Sequence, residues 1–333
     1  MENRRVRFYA FGRPAEVLQV ERQHRERPAY GEVSVRMLAS PINPSDLIPV
    51  TGAYAHRIAL PGVPGYEGVG VVEDVGPGVV QDLLGKRVLP LRGEGTWQEY
   101  VRAPAEWVVS VPAEIDDDTA AQAYINPVTA WVICTGVLQL KPDDIVLVNA
   151  CGSAIGRIFA QLAKHMGFRL IAVTRNGVHT EELLRLGAWR VVDTAVSPLQ
   201  QTVRELSQGM GAKAAIDSVG GAAGTELAFC LQPHGVFLAL GLLSGIPVDW
   251  ASIAGRGDIA VSMFHLRHWN ERVSVETWQE TFHRVWSLMR DGAVKMNKPK
   301  ARFDLADVQQ AVRLAEAGGV GKVLLTGASL ANR

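Results

Sequence analysis

The sequence predicts an α/β protein in which a doubly wound parallel sheet is joined to a second, mostly β domain. Three observations lead there. A strand–turn–helix unit with only small residues in its turn starts at Ile145. From about Tyr124 helical and extended segments alternate, and the tail after about Glu271 returns to mixed character. The first 120 residues are instead rich in Gly and Pro, with short β-like runs.

The strand–turn–helix unit is the most informative. Ile145 to Asn149 reads as a buried strand, and Ala150, Cys151, Gly152 and Ser153 form a tight turn. Ile155, Ile158, Phe159, Leu162, Ala163 and Met166 then fall on one helical face, and Gly167 closes the helix. The first-turn N–H groups have no partner within the helix, and the helix dipole favours an anion beside them. This is the layout of a dinucleotide pyrophosphate site. Where a Rossmann fingerprint has glycines, the chain has Ala150, Ser153 and Gly156. Gly152, Ser153, Ala154, Ile155 and Gly156 are therefore the expected phosphate-binding residues.

The next elements follow in order. Arg169–Thr174 is an apolar strand. Thr180 is expected to cap a short helix ended by Gly187, and Trp189–Asp193 is a third strand. Ser197-Pro198 should open another helix, with the proline at its first position and Gly209 at its end. Ala214–Asp217 and Val236–Leu240 are further strands. Ligands bind such sheets beyond the carboxyl ends of the strands, and Arg175, Asp217–Gly221 and Gly241 fall there. NAD enzymes place an acid at the end of the second strand to bind the ribose 2′-hydroxyl. This chain has Arg175-Asn176 and no acid, which suits a 2′-phosphate and points to NADPH.

In the first 120 residues the short strands are Val6–Ala10, Val33–Ala39, Gly68–Asp74, Arg87–Pro90 and Gln98–Val101. The tail should hold a helix at Val275–Arg290, then Leu305–Glu316 and a strand at Lys322–Leu325. At 333 residues, two domains are expected. Net charge is zero at neutral pH, so there is no electrostatic footprint for nucleic acid or an anionic membrane. No apolar run is long enough to span a bilayer, and the N-terminus lacks the apolar core of a signal peptide. Cys134, Cys151 and Cys230 are odd in number and scattered, which fits a reducing cytoplasm.

The runs PINPSDLIPVTGAY, LPGVPGYEGVGVVEDVGPGV, YINPVTAW, DSVGG and GKVLLTG, in that order around the nucleotide turn, resemble the medium-chain dehydrogenase/reductase superfamily. The similarity is greatest to its zinc-free members, the mitochondrial-type 2-enoyl thioester reductases and the NADPH:quinone oxidoreductases. The resemblance implies a GroES-like domain built from residues 1–123 and 271–333, a Rossmann domain at 124–270, and an active site in the cleft.

Zinc members of that superfamily take Cys and His ligands from segments that here carry Asn43 and Tyr66, and no three-ligand set can be assembled. His265 and His268 lack a third ligand nearby, and no metal is expected. Without a metal to polarise a carbonyl, reduction of an activated C=C bond remains open: a hydride to the β-carbon and a proton to the α-carbon. The resemblance implies Tyr54 as the proton donor, with Asn43 and Tyr54 toward the substrate. It also implies cofactor contacts at Asn126 and Thr129, at Gly241, Leu242 and Leu243, at Phe264, His265 and Leu266, and at Lys322. The other reading of Asn126 is a helix cap with Pro127 at the first helical position. No dense basic patch identifies a dock for CoA or a carrier protein, and His56 and Arg57 are candidates for one. Relatives pair through a late edge strand, here Ile259–Met263, so a homodimer acting on a small-molecule substrate is expected. Two alternatives stay open: an NADPH:quinone oxidoreductase, and an NADPH-binding interaction protein with little turnover.

Overall fold

The computed structural model describes residues 2–327, which divide into two compact units. Of the described residues, one unit comprises 2–125, 274–290 and 295–327; the other comprises 126–273 with 291–294.

In chain order the first unit contributes β1 (Glu2–Arg7), β2 (Gln19–His24), β3 (Glu32–Pro41), β4 (Val69–Val75), β5 (Arg87–Leu89), β6 (Tyr100–Pro104) and β7 (Val109–Ser110). The second unit follows with β8 (Ile145–Val148), β9 (Arg169–Thr174), β10 (Arg190–Asp193), β11 (Ala212–Asp217), β12 (Leu231–Ala239) and β13 (Ala260–Met263). The chain then returns to the first unit for β14 (Ala301–Asp304) and β15 (Val323–Thr326).

The first unit is mostly β. β1 and β2 pair antiparallel on their own, and a seven-stranded sheet runs β14-β15-β3-β4-β5-β7 with β6 also on β3. Residues near both chain ends thus meet in one sheet, with Leu324 opposite Pro41. Its core gathers Val6, Phe8, Leu18, Trp97, Val312 and Leu325. The helix Val275–Arg290 packs Trp278 against Trp107, Tyr124 and Phe282.

The second unit is a six-stranded, all-parallel sheet in the order β10-β9-β8-β11-β12-β13. Such strands are covered by helices on both faces, which is why they read as apolar runs without alternation. The chain steps from β8 out to β9 and β10, then returns to place β11 on the other side of β8. That reversal is the switch point at which doubly wound sheets bind ligands.

Several boundaries differ from the sequence expectation. Thr180 is the first residue of the helix Thr180–Leu186, because Asn176 caps a preceding 3-10 turn at Gly177–His179. Pro198 is itself the cap of the helix Leu199–Leu206, so Ser197 stands outside it. The helix at INPVTAW begins at Ile125, which makes Asn126 an interior residue and Pro127 the third. β12 starts five residues before the expected Val236, running through Pro233, His234 and Gly235 with a register shift opposite β11. β2 was missed because QVERQH is polar and gains its pairing only from β1. Leu305–Glu316 divides into a 3-10 turn and the helix Val308–Glu316.

Candidate active site

In the second unit the turn between β8 and the helix Ala154–Met166 is built as a phosphate cradle. Ala150 sits at φ +47°, the left-handed region a small side chain tolerates best. Ser153 caps the helix, its Oγ accepting from the Gly156 amide at 3.3 Å. The Ala154 and Ile155 amides have no carbonyl partner within the helix and face the turn. A Cβ at Gly156 would collide with the Cys151 carbonyl, so this glycine is required by helix–strand approach. At Gly152 a Cβ would meet the His179 ring, which would have to shift.

His179 belongs to a cluster the sequence did not reveal. Arg157 is buried, with its guanidinium on Glu182 at 2.7 and 3.1 Å and on the Gly152 carbonyl. Its Nη2 lies 3.3 Å from His179 Nδ1. A guanidinium can only donate, so in this contact Nδ1 is the acceptor. The Arg157 hydrogen bond holds the Glu182 carboxyl below the usual range. The cradle is thus tied from beneath by an ion pair.

At the switch point the carboxyl ends of β8 and β11 are joined. Asn149 Nδ2 donates to Asp217 Oδ1 at 2.5 Å, and Asn149 Oδ1 accepts from the Ser218 amide at 2.8 Å. The Asp217 carboxylate also takes the Val219 and Gly220 amides. Arg175 lies exposed just beyond β9, while the Asn176 side chain accepts from the Val178 amide. Gly241 follows β12, its amide on the Asp217 carbonyl, and Leu242 and Leu243 are exposed. Phe264 is buried, and His265 caps the helix that Leu266 begins, accepting from the Arg267 amide. Asn126 is half-buried and Thr129 buried on their helix.

In the first unit the expected substrate and cofactor residues Asn43 and Lys322 turn inward. Lys322 Nζ donates to Asn43 Oδ1 at 2.5 Å, and Asn43 Nδ2 donates to Glu67 Oε1 at 2.8 Å. Both polar atoms of Asn43 are therefore used, and the residue is buried. Glu67 also accepts from the Tyr124 and Ile125 amides, at 3.2 and 2.8 Å. Asp46 accepts from the Asn43 and Tyr66 amides, at 2.8 and 2.9 Å. One ammonium thus serves two buried carboxylates. Burial pushes Asp46 up to about 7 and raises Glu67, while it lowers Lys322 against the pull of both acids.

This cluster has a consequence for stability. Asp46 has a higher pKa folded than unfolded, so its contribution is full below about pH 4 and is lost as pH rises through 7. Between pH 5 and 8 the wild-type chain should lose a few kcal/mol relative to Asp46→Asn, since each tenfold difference in proton affinity between the folded and unfolded chain corresponds to about 1.4 kcal/mol. Thermal unfolding of both proteins across that range checks it; a difference constant with pH would sink the idea.

Tyr54 lies in the turn after the helix Pro44–Leu47. Gly52, at φ +90°, brings that turn against Phe11, and the Arg57 and Ile58 amides both bond the Tyr54 carbonyl. The phenol is partly exposed, and its hydroxyl makes no hydrogen bond to any described residue. The Arg57 guanidinium stacks over its ring, 4.0 Å from the centroid.

No helix is long and apolar enough to cross a membrane, and no group of three His, Cys, Asp or Glu able to hold a metal occurs among the described residues. Tyr66, at the histidine position of the zinc members, is exposed.

Two family models match the chain: the alcohol dehydrogenase GroES-like domain over residues 29–113 and the zinc-binding dehydrogenase over 154–288. A mitochondrial enoyl-[acyl-carrier-protein] reductase of Rattus norvegicus is 32% identical over 308 residues, covering 90% of this chain and 82% of the relative. The chain belongs to the medium-chain dehydrogenase/reductase superfamily. Quinone oxidoreductase 1 of Escherichia coli is 27% identical, covering 94% and 95% of the two chains. Among solved structures, a Bacillus thuringiensis chain provisionally named an NADPH:quinone reductase is 57% identical with a TM-score of 0.96, covering 98% and 99%. An E. coli quinone oxidoreductase complexed with NADPH is 26% identical with a TM-score of 0.88, covering 97% and 99%. Asn43 and Tyr66 stand where the resemblance implies the cysteine and histidine ligands of the zinc members.

Proposed function

We propose that this chain is an NADPH-dependent reductase that adds hydrogen across an activated C=C bond, a 2-enoyl thioester or similar enone, without a metal. The observation that carries the reading is Tyr54, partly exposed, its hydroxyl without a hydrogen-bond partner among the described residues, on a turn that fixes its backbone. The Ser153-capped turn and Arg175 fit a dinucleotide phosphate, the glycines keeping backbone and side chains at close approach. When bound, NADPH supplies a hydride to the β-carbon of the alkene and becomes NADP+. Tyr54 gives its proton to the α-carbon, and water reprotonates the phenolate. Asn43, Glu67, Asp46 and Lys322 hold the segments that carry this turn. Thr129, Gly241, Leu243 and Leu266 are proposed to line the nicotinamide end, with Asn126 beside them.

A second reading, NADPH:quinone oxidoreductase, is favoured by the 57% identity to the B. thuringiensis chain. NADPH oxidation by chelator-treated enzyme, with a panel of enoyl-CoAs and of quinones, separates the two. Turnover confined to quinones would replace the first reading with the second, and turnover of neither would leave an NADPH-binding interaction protein.

We also propose a homodimer. β13 is one of the two outer strands of the parallel sheet, and all four of its residues are exposed, Met263 at 72%. Its unpaired edge and apolar side chains suit antiparallel pairing with a second copy. Light scattering at micromolar concentration should give twice the chain mass of 36.1 kDa. Monomeric mass there would rule this pairing out.

A further inference from the structure

We propose that Arg57 is a positioning residue for the Tyr54 hydroxyl: its guanidinium lies on the phenol ring and stabilises the negative charge that develops there as the proton leaves. This rests on the reading of Tyr54 as proton donor and extends it to a second side chain.

Arg57 lies three residues after Tyr54, and the turn closed by its amide on the Tyr54 carbonyl puts both side chains on one side. The guanidinium carbon sits 4.0 Å from the ring centroid, within the range of a cation–π contact. Other arginines of this chain stack on aromatic rings, but several also carry a carboxylate. Arg25, over Tyr100, pairs with Glu73, and Arg169, near Trp189, pairs with Asp143. Arg57 has no carboxylate at ion-pair distance among the described residues, so its charge acts on the ring undiminished by a partner.

The physical effect differs between ground state and transition state. A neutral phenol offers the cation only its quadrupole. A phenol giving up its proton offers growing negative charge shared between the oxygen and the ring, so the attraction strengthens as the reaction proceeds. An interaction that is stronger in the transition state raises kcat. The same stacking limits the rotamers of Tyr54 and holds its hydroxyl in one direction. Because the pair is partly exposed, water and salt moderate the gain.

The test is a double-mutant cycle on the full-length enzyme with crotonyl-CoA and, separately, a quinone. Arg57→Gln should lower kcat for crotonyl-CoA by about fivefold to thirtyfold with KM within about twofold. It should also raise the solvent deuterium isotope effect on kcat, because proton donation becomes slower. Arg57→Lys, which keeps the charge and loses the planar stack, should recover part of the rate. In a Tyr54→Phe background Arg57→Gln should cost nothing further, and in every variant quinone reduction and NADPH affinity should change far less than enoyl turnover. An equal loss in the Tyr54→Phe background would overturn the proposal, since Arg57 would then act independently of the phenol. A raised KM for crotonyl-CoA with kcat intact would also overturn it, assigning Arg57 to the substrate's phosphates. If Tyr54→Phe alone leaves enoyl turnover intact, it is the donor reading that fails, a distinct result visible before Arg57 is changed.

Discussion

Tyr54→Phe should lower turnover of an enoyl thioester by about 10²–10⁴-fold, the usual contribution of a positioned general acid. The substitution removes one oxygen and keeps the ring, so the stack under Arg57 and the turn fixed by the Tyr54 carbonyl both survive. No hydrogen bond to a described residue is lost, because the hydroxyl makes none, and the fold should lose little stability. NADPH affinity should stay close to wild type, since the phosphate cradle lies at Ala150–Gly156 in the other unit. Reduction of a quinone should suffer much less. Its oxygens take protons from water once the hydride has arrived, whereas an α-carbon needs an acid held beside it. Steady-state rates for both substrates on one variant therefore test the role as well as the residue. An enoyl rate reduced by less than about threefold would make Tyr54 a packing residue, given what general acids ordinarily contribute.

The parallel sheet was legible because its signals are local. Buried parallel strands such as Arg169–Thr174 show as apolar runs, and the helix from Ala154 to Met166 shows its face, its serine cap and its glycine stop within one short segment. Residues whose environment is made by distant chain were not legible. Arg157 falls off the apolar face of its helix and reads as solvent-facing; it is buried because Glu182 and the Gly152 carbonyl come to meet it. Gly152 reads as a phosphate-approach glycine, but the space a Cβ would take is filled by His179. Lys322 and Asn43 are separated by 279 positions, so their hydrogen bond is visible only once β15 lies on β3. Glu67 and Asp46 carried no sequence signal beyond being acids beside turns, yet burial raises both above the usual carboxylate range. Polar β2 was missed for the converse reason: it buries no apolar stripe that a pattern could show.

Arg175→Ala should weaken NADPH binding about ten- to a hundredfold and leave NADH nearly unchanged. Arg175 stands exposed at the carboxyl end of β9, one residue beyond the buried Thr174, where a dinucleotide enzyme reads the adenosine ribose. It has no carboxylate at ion-pair distance among the described residues, so its donors are available to a ligand. The neighbouring Asn176 accepts the Val178 amide through its Oδ1, and Arg175 is the charged side chain at this strand end that can meet a phosphate. A hydrogen bond to a charged group contributes roughly 1.5–3 kcal/mol, which converts to the stated range at about 1.4 kcal/mol per tenfold. Because the site is open to solvent, the NADPH preference should shrink as salt is raised, as screening of exposed charges requires. Arg175→Lys should retain part of the preference, since it keeps the charge and loses the planar fork that matches a phosphate. Fluorescence titration of both reduced cofactors against the three proteins measures this directly, without any substrate present. Equal weakening of NADPH and NADH would show that Arg175 supports the fold of the strand end and does not read the 2′-phosphate.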